Sequence, residues 1–327
     1  MSANKMTNPK TTPPFRFALA QYLCRSLPPI IAMRLKEIIY PERLGQRDNF
    51  LFLARSQTGG WFKGSTVEMH ALELGICGYS TYRNWAIAIA LCNPGDTILE
   101  VGANIGTETV GFADIVGCDG HVYAFEPFSP NVESLKTTLA LTSCQNVTLL
   151  PIALGDKDGI VEFVPPKGTS TGTGRVAHLD TGVHLTPLQT TPIGVQCAAL
   201  DSLRDRIPSA AFICMDAEDS EVYVLRGAAN YIERSRPSMV VEAHRKVQSE
   251  LHAELQRQGY IEFSISRYGL KPVVELAKHN ANWFCVHQSR IKVARYVNKT
   301  LLKCVLMPCL FGMNPMRGIR RRKLRHV

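Results

Sequence analysis

The chain lacks the long apolar runs of a membrane protein. None of its 327 residues lie in a stretch approaching the ~20 consecutive apolar residues that a spanning helix needs. It also lacks a recognisable secretory leader. The apolar stretch from Phe15 to Leu27 is broken by Arg16, Gln21 and Arg25, with no small-residue cleavage site after it. It lacks paired cysteines: its ten cysteines are scattered, none forms a C-x-x-C pair, and several sit in apolar runs such as Phe212-Ile213-Cys214-Met215. That argues against a disulfide framework and a structural zinc, and for buried reduced thiols in a cytoplasmic protein. Finally, residues 1–290 lack a charge surplus, with 27 basic and 28 acidic side chains, so the body carries no signal for specific nucleic-acid binding.

The net charge of +9 belongs to one end. From Ile291 to Val327 there are ten Lys/Arg and no Asp/Glu. With 45% hydrophobic and 20% charged residues and no internal repeats, the remainder is ordinary globular composition. Three regions are expected: residues 1–74, a Pro/Thr-rich tail (1–14) and a helix-like extension; residues 75–290, a catalytic or binding domain; and residues 291–327, a basic extension. Residues 15–58 read as helical, with Ile30 to Ile39 on a helical period between Pro28-Pro29 and Pro41. A packing helix explains that period, and a membrane-surface helix is the alternative.

From about residue 75 short apolar runs alternate with helical patterns. Strands are predicted at 97–101, 121–125, 147–151, 211–216, 238–242, 261–266 and 283–287, and helices at 82–91, 107–116, 130–141, 220–233 and 247–258. This is βαβ spacing, so the fold class is α/β with a mostly parallel, helix-flanked sheet. Residues 165–194 break the rhythm with Thr, Gly and Pro, and read as a long substrate-binding loop or small β insertion.

The strongest local signal is the strand Thr97–Val101 running through Gly102-Ala103-Asn104-Ile105-Gly106 into a helix. Such a junction offers free backbone N–H groups to a ligand. A dinucleotide site wants G-x-G-x-x-G, but Asn104 stands where the middle glycine would be and Thr107 follows Gly106, which argues against an NAD-dependent oxidoreductase. Glu100 suits a cationic amino group, while Gly102 and Gly106 let the backbone pass close to a compact ligand. Glu126, at the tip of the next strand and ~20 residues on, is placed to take both hydroxyls of a ribose. An amino-acid-bearing nucleoside meets these demands.

Taken in order, E-V-G-A-N-I-G (100–106), A-F-E-P-F-S-P-N (124–131), A-L-G-D-K-D-G (153–159), A-L-D-S-L (199–203), I-C-M-D-A-E-D-S-E (213–221), V-L-R-G-A (224–228) and P-S-M-V-V-E-A-H (237–244) resemble the FkbM-type methyltransferases. The resemblance covers about residues 95–245. It implies a Rossmann-like class I methyltransferase fold with a seven-stranded sheet, S-adenosylmethionine as cofactor, and O-methylation of a sugar, glycolipid or polyketide-type hydroxyl. By matching position, Glu100, Gly102, Ala103, Asn104 and Gly106 would surround the methionine end, Glu126 and Pro127 the ribose, and Ala153 the adenine. The chain departs from the family pattern at Cys214, where members usually carry Lys, and at Asp219, where they usually carry Gly.

Asp216 with Glu218, and Glu242 with His244, sit at the tips of two later strands, where ligands of open α/β sheets bind. An alcohol must lose its proton as it attacks a methyl carbon. His244, with a near-neutral intrinsic pKa, or Asp216 is the candidate base, and Asp216 with Glu242 could instead hold a divalent metal. A lone strand-end His is as readily structural. At the C-terminus, the apolar Leu301–Met313 stretch beside Arg317–Arg325 could rest on an anionic membrane surface or be a solvated tail after a packing helix. The departures at Cys214 and Asp219 also leave open a non-catalytic S-adenosylmethionine-binding or membrane-recruited module.

Overall fold

The computed structural model describes residues 12–141, 145–168, 171–177, 191–309 and 313–323. Three helices open the chain: α1 (Phe15–Cys24), α2 (Pro29–Ile39) and α3 (Glu42–Asp48). An antiparallel hairpin follows, β1 (Leu51–Arg55) with β2 (Trp61–Ser65), and then α4 (Met69–Cys77) and α5 (Tyr82–Leu91). The helical expectation for residues 15–58 is thus corrected at its end. Phe52 and Ala54 of β1 are buried while Leu51 and Leu53 are exposed, so the inward-outward alternation of a strand is written in apolar residues on both faces.

The central sheet is built from β3 (Thr97–Val101), β4 (His121–Phe125), β5 (Val147–Leu150), β10 (Phe212–Met215), β11 (Ser238–Ala243), β12 (Tyr260–Ser266), β13 (Gly269–Pro272) and β14 (Ala281–His287). Its strand order is β13-β12-β14-β11-β10-β3-β4-β5. The run from β11 to β5 is parallel, while β14 pairs antiparallel with β11 and β12. The sheet therefore has eight strands rather than seven: β12 turns back at Arg267-Tyr268 into a short antiparallel edge strand. A second sheet of four strands, in the order β6-β9-β7-β8, is formed by β6 (Ala153–Gly155), β7 (Gly159–Val164), β8 (Arg175–Val176) and β9 (Ile193–Ala199). The expected loop at 165–194 begins and ends in this sheet, and its residues 169–170 and 178–190 lie outside the described residues, as do 1–11 of the tail and 324–327 of the basic end.

Helices α6 (Thr109–Val116), α7 (Ser129–Leu141), α8 (Glu221–Gly227), α9 (Ala229–Ser235) and α10 (Gln248–Arg257) supply the connections. The single helix expected over 220–233 is two, separated at Ala228. The central strands bury both faces, as parallel strands do. Ile98, Phe212, Cys214 and Val240 join a core shared with α5, α6 and the N-terminal helices, whereas Leu99, Ile213, Met215 and Val241 face α8 and α10. By the same two-residue period Glu100, Cys214 and Glu242 share the first face.

Helix α11 (Val293–Leu306) packs on α5, burying Val297, Leu301, Cys304 and Val305, so the apolar half of the basic extension is used by the core. Helix α12 (Pro315–Lys323) follows it, with Met316 and Ile319 buried. Among the described residues no helix is long and apolar enough to cross a membrane.

Candidate active site

The chain runs outward from β3 through β4 to β5, then returns to place β10 on the other side of β3. A crevice opens at such a switch point, outside the carboxyl ends of the strands. Here it is a cavity of about 450 Å³, within the usual size of a small-molecule site.

One wall is the glycine loop. The N–H groups of Gly102 and Ala103 both donate to the Phe125 carbonyl, at 3.0 and 2.9 Å, tying the loop to the tip of β4. Gly102 has φ +82°, and a Cβ there would lie 1.8 Å from the Asp216 carbonyl oxygen, so the loop and the β10 tip close on each other only through a glycine. Asn104 takes φ +49°, a conformation Asn tolerates, and its N–H donates to Glu126 Oε2 at 2.8 Å. The other Glu126 oxygen accepts from Phe128 N at 2.8 Å. Burial pushes this carboxyl up to about 7 despite those two donors. Each oxygen keeps lone-pair capacity that ribose hydroxyls could use.

Glu100 is buried on the same wall, and its Oε2 has no hydrogen-bond partner. Burial, with Glu108 nearby, raises its pKa well above the ordinary range. An orphaned buried carboxylate oxygen and a cradle that a Cβ would fill are what a compact ligand bearing an ammonium requires. Pro127 and Ala153 also line the cavity, while Gly106, at φ +88°, closes the loop without lining it.

The facing wall carries Asp216, Glu218 and Glu242, whose nearest ligand oxygens all lie within 4.8 Å of one another. Asp216 is exposed at the cavity surface and hydrogen-bonds Glu242; the crowding of protein atoms around it and the neighbouring Glu242 raise its pKa, while His244 lowers that of Glu242, so a proton between the two favours Asp216. Glu218 is pushed up to about 7 by burial and by Glu242. His244 stands behind this wall rather than in it and lines a second, adjoining pocket. Its Nδ1 meets Asp219 Oδ1 at 2.7 Å, and its Nε2 meets Glu242 Oε2 at 3.2 Å and Glu218 Oε2 at 3.9 Å. Hydrogen bonds to Asp219 and Glu242 raise its pKa to about 11, making it an imidazolium at neutral pH.

Sequence reasoning missed several lining residues. Glu108, one turn past the glycine loop, faces the cavity with its carboxyl held by the Thr81 hydroxyl, Asn84 Nδ2 at 3.0 Å and Cys214 Sγ at 3.3 Å. Burial lifts its pKa to about 7. Cys214 thus donates a weak thiol hydrogen bond to Glu108. Asn131, Phe163 and the segment Thr171–Val176 also line the cavity. The Thr171 carbonyl accepts from Asn131 Nδ2 at 3.2 Å, which ties that segment to α7.

Residues 100–262 match the family model of the methyltransferase FkbM domain. The chain carries a methyltransferase FkbM domain. S-adenosylmethionine is the methyl donor of that family, in keeping with the glycine loop and its two carboxylates. Among solved structures, the chain is similar to methyltransferase FkbM from Methylobacillus flagellatus (14% identity, TM-score 0.41), with 83% of this chain and 58% of that one covered. It is also similar to Aeropyrum pernix fibrillarin in complex with S-adenosyl-L-methionine (14% identity, TM-score 0.37; 59% and 67% covered). A third is a Streptococcus mutans protein in complex with SAH (8% identity, TM-score 0.38; 62% and 94% covered). The chain thus spans a little over half the length of the Methylobacillus protein. No curated protein sequence matches it.

Proposed function

We propose that this FkbM-domain chain is an S-adenosylmethionine-dependent O-methyltransferase acting on a hydroxyl of a sugar-, glycolipid- or polyketide-type acceptor. The observation that carries the reading is that one cavity is lined both by the Glu100–Asn104 loop with Glu126 and by the Asp216, Glu218 and Glu242 carboxyls. When bound, the cofactor supplies an electrophilic methyl carbon on a sulfonium. Glu100 would hold the methionine ammonium, Gly102 and Ala103 would let the backbone approach it, Glu126 and Pro127 would hold the ribose, and Ala153 would face the adenine.

The acceptor's proton goes to the carboxyl cluster rather than to the imidazole. His244 is occupied at both ring nitrogens by carboxylates and already carries a proton, so it has no capacity to accept another. The acceptor hydroxyl donates to Asp216, whose own proton passes to Glu242. The imidazolium of His244 keeps Glu242 ionised until then, and Asp219 keeps His244 in place. Glu218, near 7, adjusts the charge of the cluster around neutrality.

The test is release of S-adenosylhomocysteine with a panel of hydroxyl acceptors, for wild type and for Asp216→Asn and Glu242→Gln. General-base loss is worth roughly 10²–10⁴-fold in turnover, with cofactor binding retained. A non-catalytic module would bind S-adenosylmethionine and release no product with any acceptor. The three carboxyls also have the spacing of a divalent-cation site. With His244 already supplying a cation 3.2 Å from Glu242, turnover is expected to survive chelation, and loss of turnover with chelator would reassign the cluster as metal ligands.

A further inference from the structure

We propose that the acceptor carries a phosphoryl group, bound by Arg175, Arg245 and Lys246 in the second pocket beside the methyl-transfer cavity. The proposal rests on the methyl-transfer reading of that cavity and names the class of molecule it takes.

Arg175 and Glu218 line both pockets, so the two spaces adjoin across the Glu218 wall and one ligand can occupy both. Their linings differ. Glu100, Glu108, Glu126, Asp216 and Glu242 face the inner cavity, and Arg175 is the one Lys or Arg among its described lining residues. The outer pocket brings together Arg175, Arg245, Lys246, His244 and Asn280, against Glu218 and Asp219. The inner space offers an anion a wall of carboxyls, and the outer one offers it a group of cations. An acceptor with an anionic end therefore enters with its hydroxyl toward Asp216.

The lysine and arginine side chains of the outer pocket are not held in close ion pairs, though Arg175 and Lys246 lie near enough to Asp219 to help lower its pKa. Among the described residues, Arg175, Arg245 and Lys246 make no ion pair within 4.0 Å; Asp219, the carboxylate they share the pocket with, is engaged by His244 at 2.7 Å. Their backbone is nevertheless fixed. Arg245 N donates to Asn280 Oδ1 at 3.0 Å, and the N–H groups of Val247 and Gln248 both reach the His244 carbonyl at 3.0 Å, so residues 244–248 form a closed turn leading into α10. Arg175 reaches the same pocket from β8 of the second sheet. Three cationic side chains, two of them guanidinium groups, thus share the pocket with Glu218 and Asp219, while His244 is balanced by Asp219 and Glu242. Three converging cations suit the three oxygens of a phosphoryl group, and guanidinium groups bind such oxygens in pairs.

The experiment uses the full chain and matched acceptors: a hexose, its phosphate monoester and the corresponding hexuronic acid. KM is measured for wild type and for the Arg245→Ala/Lys246→Ala double variant, with inorganic phosphate as competitor. S-adenosylhomocysteine affinity is measured in parallel. The expected result is a KM at least tenfold lower for the phosphate ester than for the hexose, competition by inorganic phosphate, and loss of both in the double variant with S-adenosylhomocysteine affinity kept. Equal KM for hexose and ester, or a preference that survives in the double variant, would overturn the proposal. A hexuronic acid as good as the ester would overturn the phosphoryl assignment. If no hexose of the set is methylated, calorimetric titration of inorganic phosphate into the S-adenosylhomocysteine complex decides: binding that the double variant lacks supports the site, and no binding overturns it. Failure of S-adenosylhomocysteine itself to bind would instead sink the cofactor reading, which is a separate result.

Discussion

Asp219 Oδ1 accepts a 2.7 Å hydrogen bond from His244 Nδ1, and Asp219 makes it from a backbone at φ +78°. The left-handed region favours glycine, the residue usual at this position in the family the sequence resembles. The departure from glycine therefore adds a carboxylate where it locks the imidazolium behind Glu242. Asp219→Asn keeps a residue that tolerates this backbone and removes the charge. It is expected to lower the His244 pKa from its value of about 11, read by NMR titration of the imidazole protons. Asp219→Gly relaxes the backbone, offsetting part of the stability lost with the ion pair. An unchanged His244 titration in both variants would mean that Glu242 alone sets its charge.

The Gly102 contact gives a steric prediction with a built-in control. In Gly102→Ala, the left-handed backbone alone costs ~1–2 kcal/mol, and overlap with the Asp216 carbonyl, 1.8 Å from the added carbon, adds to it. Gly95 has φ +96° but nothing within 4 Å of an added Cβ. Gly95→Ala should therefore show the backbone part only. The difference between the two melting temperatures measures how tightly the loop closes on the β10 tip, and only Gly102→Ala should also weaken S-adenosylhomocysteine binding. Equal melting temperatures would show that the β10 tip shifts freely.

What could be read in the sequence was whatever is local. Glu100 through Gly106 is one continuous strand–loop–helix junction, and Glu126 is the tip of the next strand, so the cofactor wall needs no knowledge of tertiary structure. Glu108 was not legible because its partners Thr81 and Asn84 arrive from the start of α5 and the residue before it, more than 20 residues earlier. The β1–β2 hairpin was hidden because Leu51 and Leu53 are apolar yet exposed, erasing the polar half of its alternation. The role of His244 turns on three carboxylates, two from the loop after β10 and one from the end of β11. An isolated histidine in a sequence suggests a base, and the same histidine between Asp219 and Glu242 is a fixed cation. The second sheet uses strands of two to seven residues, too short for periodicity to register among Thr, Gly and Pro.

Glu126 offers the most direct check on the cofactor wall. Its two oxygens are held by Asn104 N and Phe128 N, so Glu126→Gln also replaces one acceptor with an amide that faces a backbone donor. Ligand at a hundredfold over its dissociation constant stabilises the folded state by ~2.7 kcal/mol. Wild type should gain this with S-adenosylmethionine and S-adenosylhomocysteine and not with NAD, and Glu126→Gln should lose most of it. A full shift in the variant would place the ribose elsewhere.

The ligand-free chain should lose stability as pH rises from 5 toward 9. Burial raises Glu108, Glu126 and Glu218 from 4.5 to about 7 and Glu221 to about 8. Between the unfolded and folded values the native state binds more protons than the unfolded chain, so stability falls as pH climbs through that window. His244 acts in the same direction at higher pH. Its folded value of about 11 lies above the ordinary 6.5, so its contribution is complete below 6.5 and is lost as pH rises toward 11. Asp219, shifted downward, changes its contribution only below its ordinary 3.8 and leaves this range untouched. Calorimetric melting temperatures at pH 5.5, 7 and 8.5 should therefore decrease in that order. His244→Ala should flatten the step above pH 7 and keep the one below it. A melting temperature that rises with pH would mean that Glu108, Glu126, Glu218 and Glu221 are already ionised in the folded chain, and Glu218 could then not adjust the charge of the cluster around neutrality.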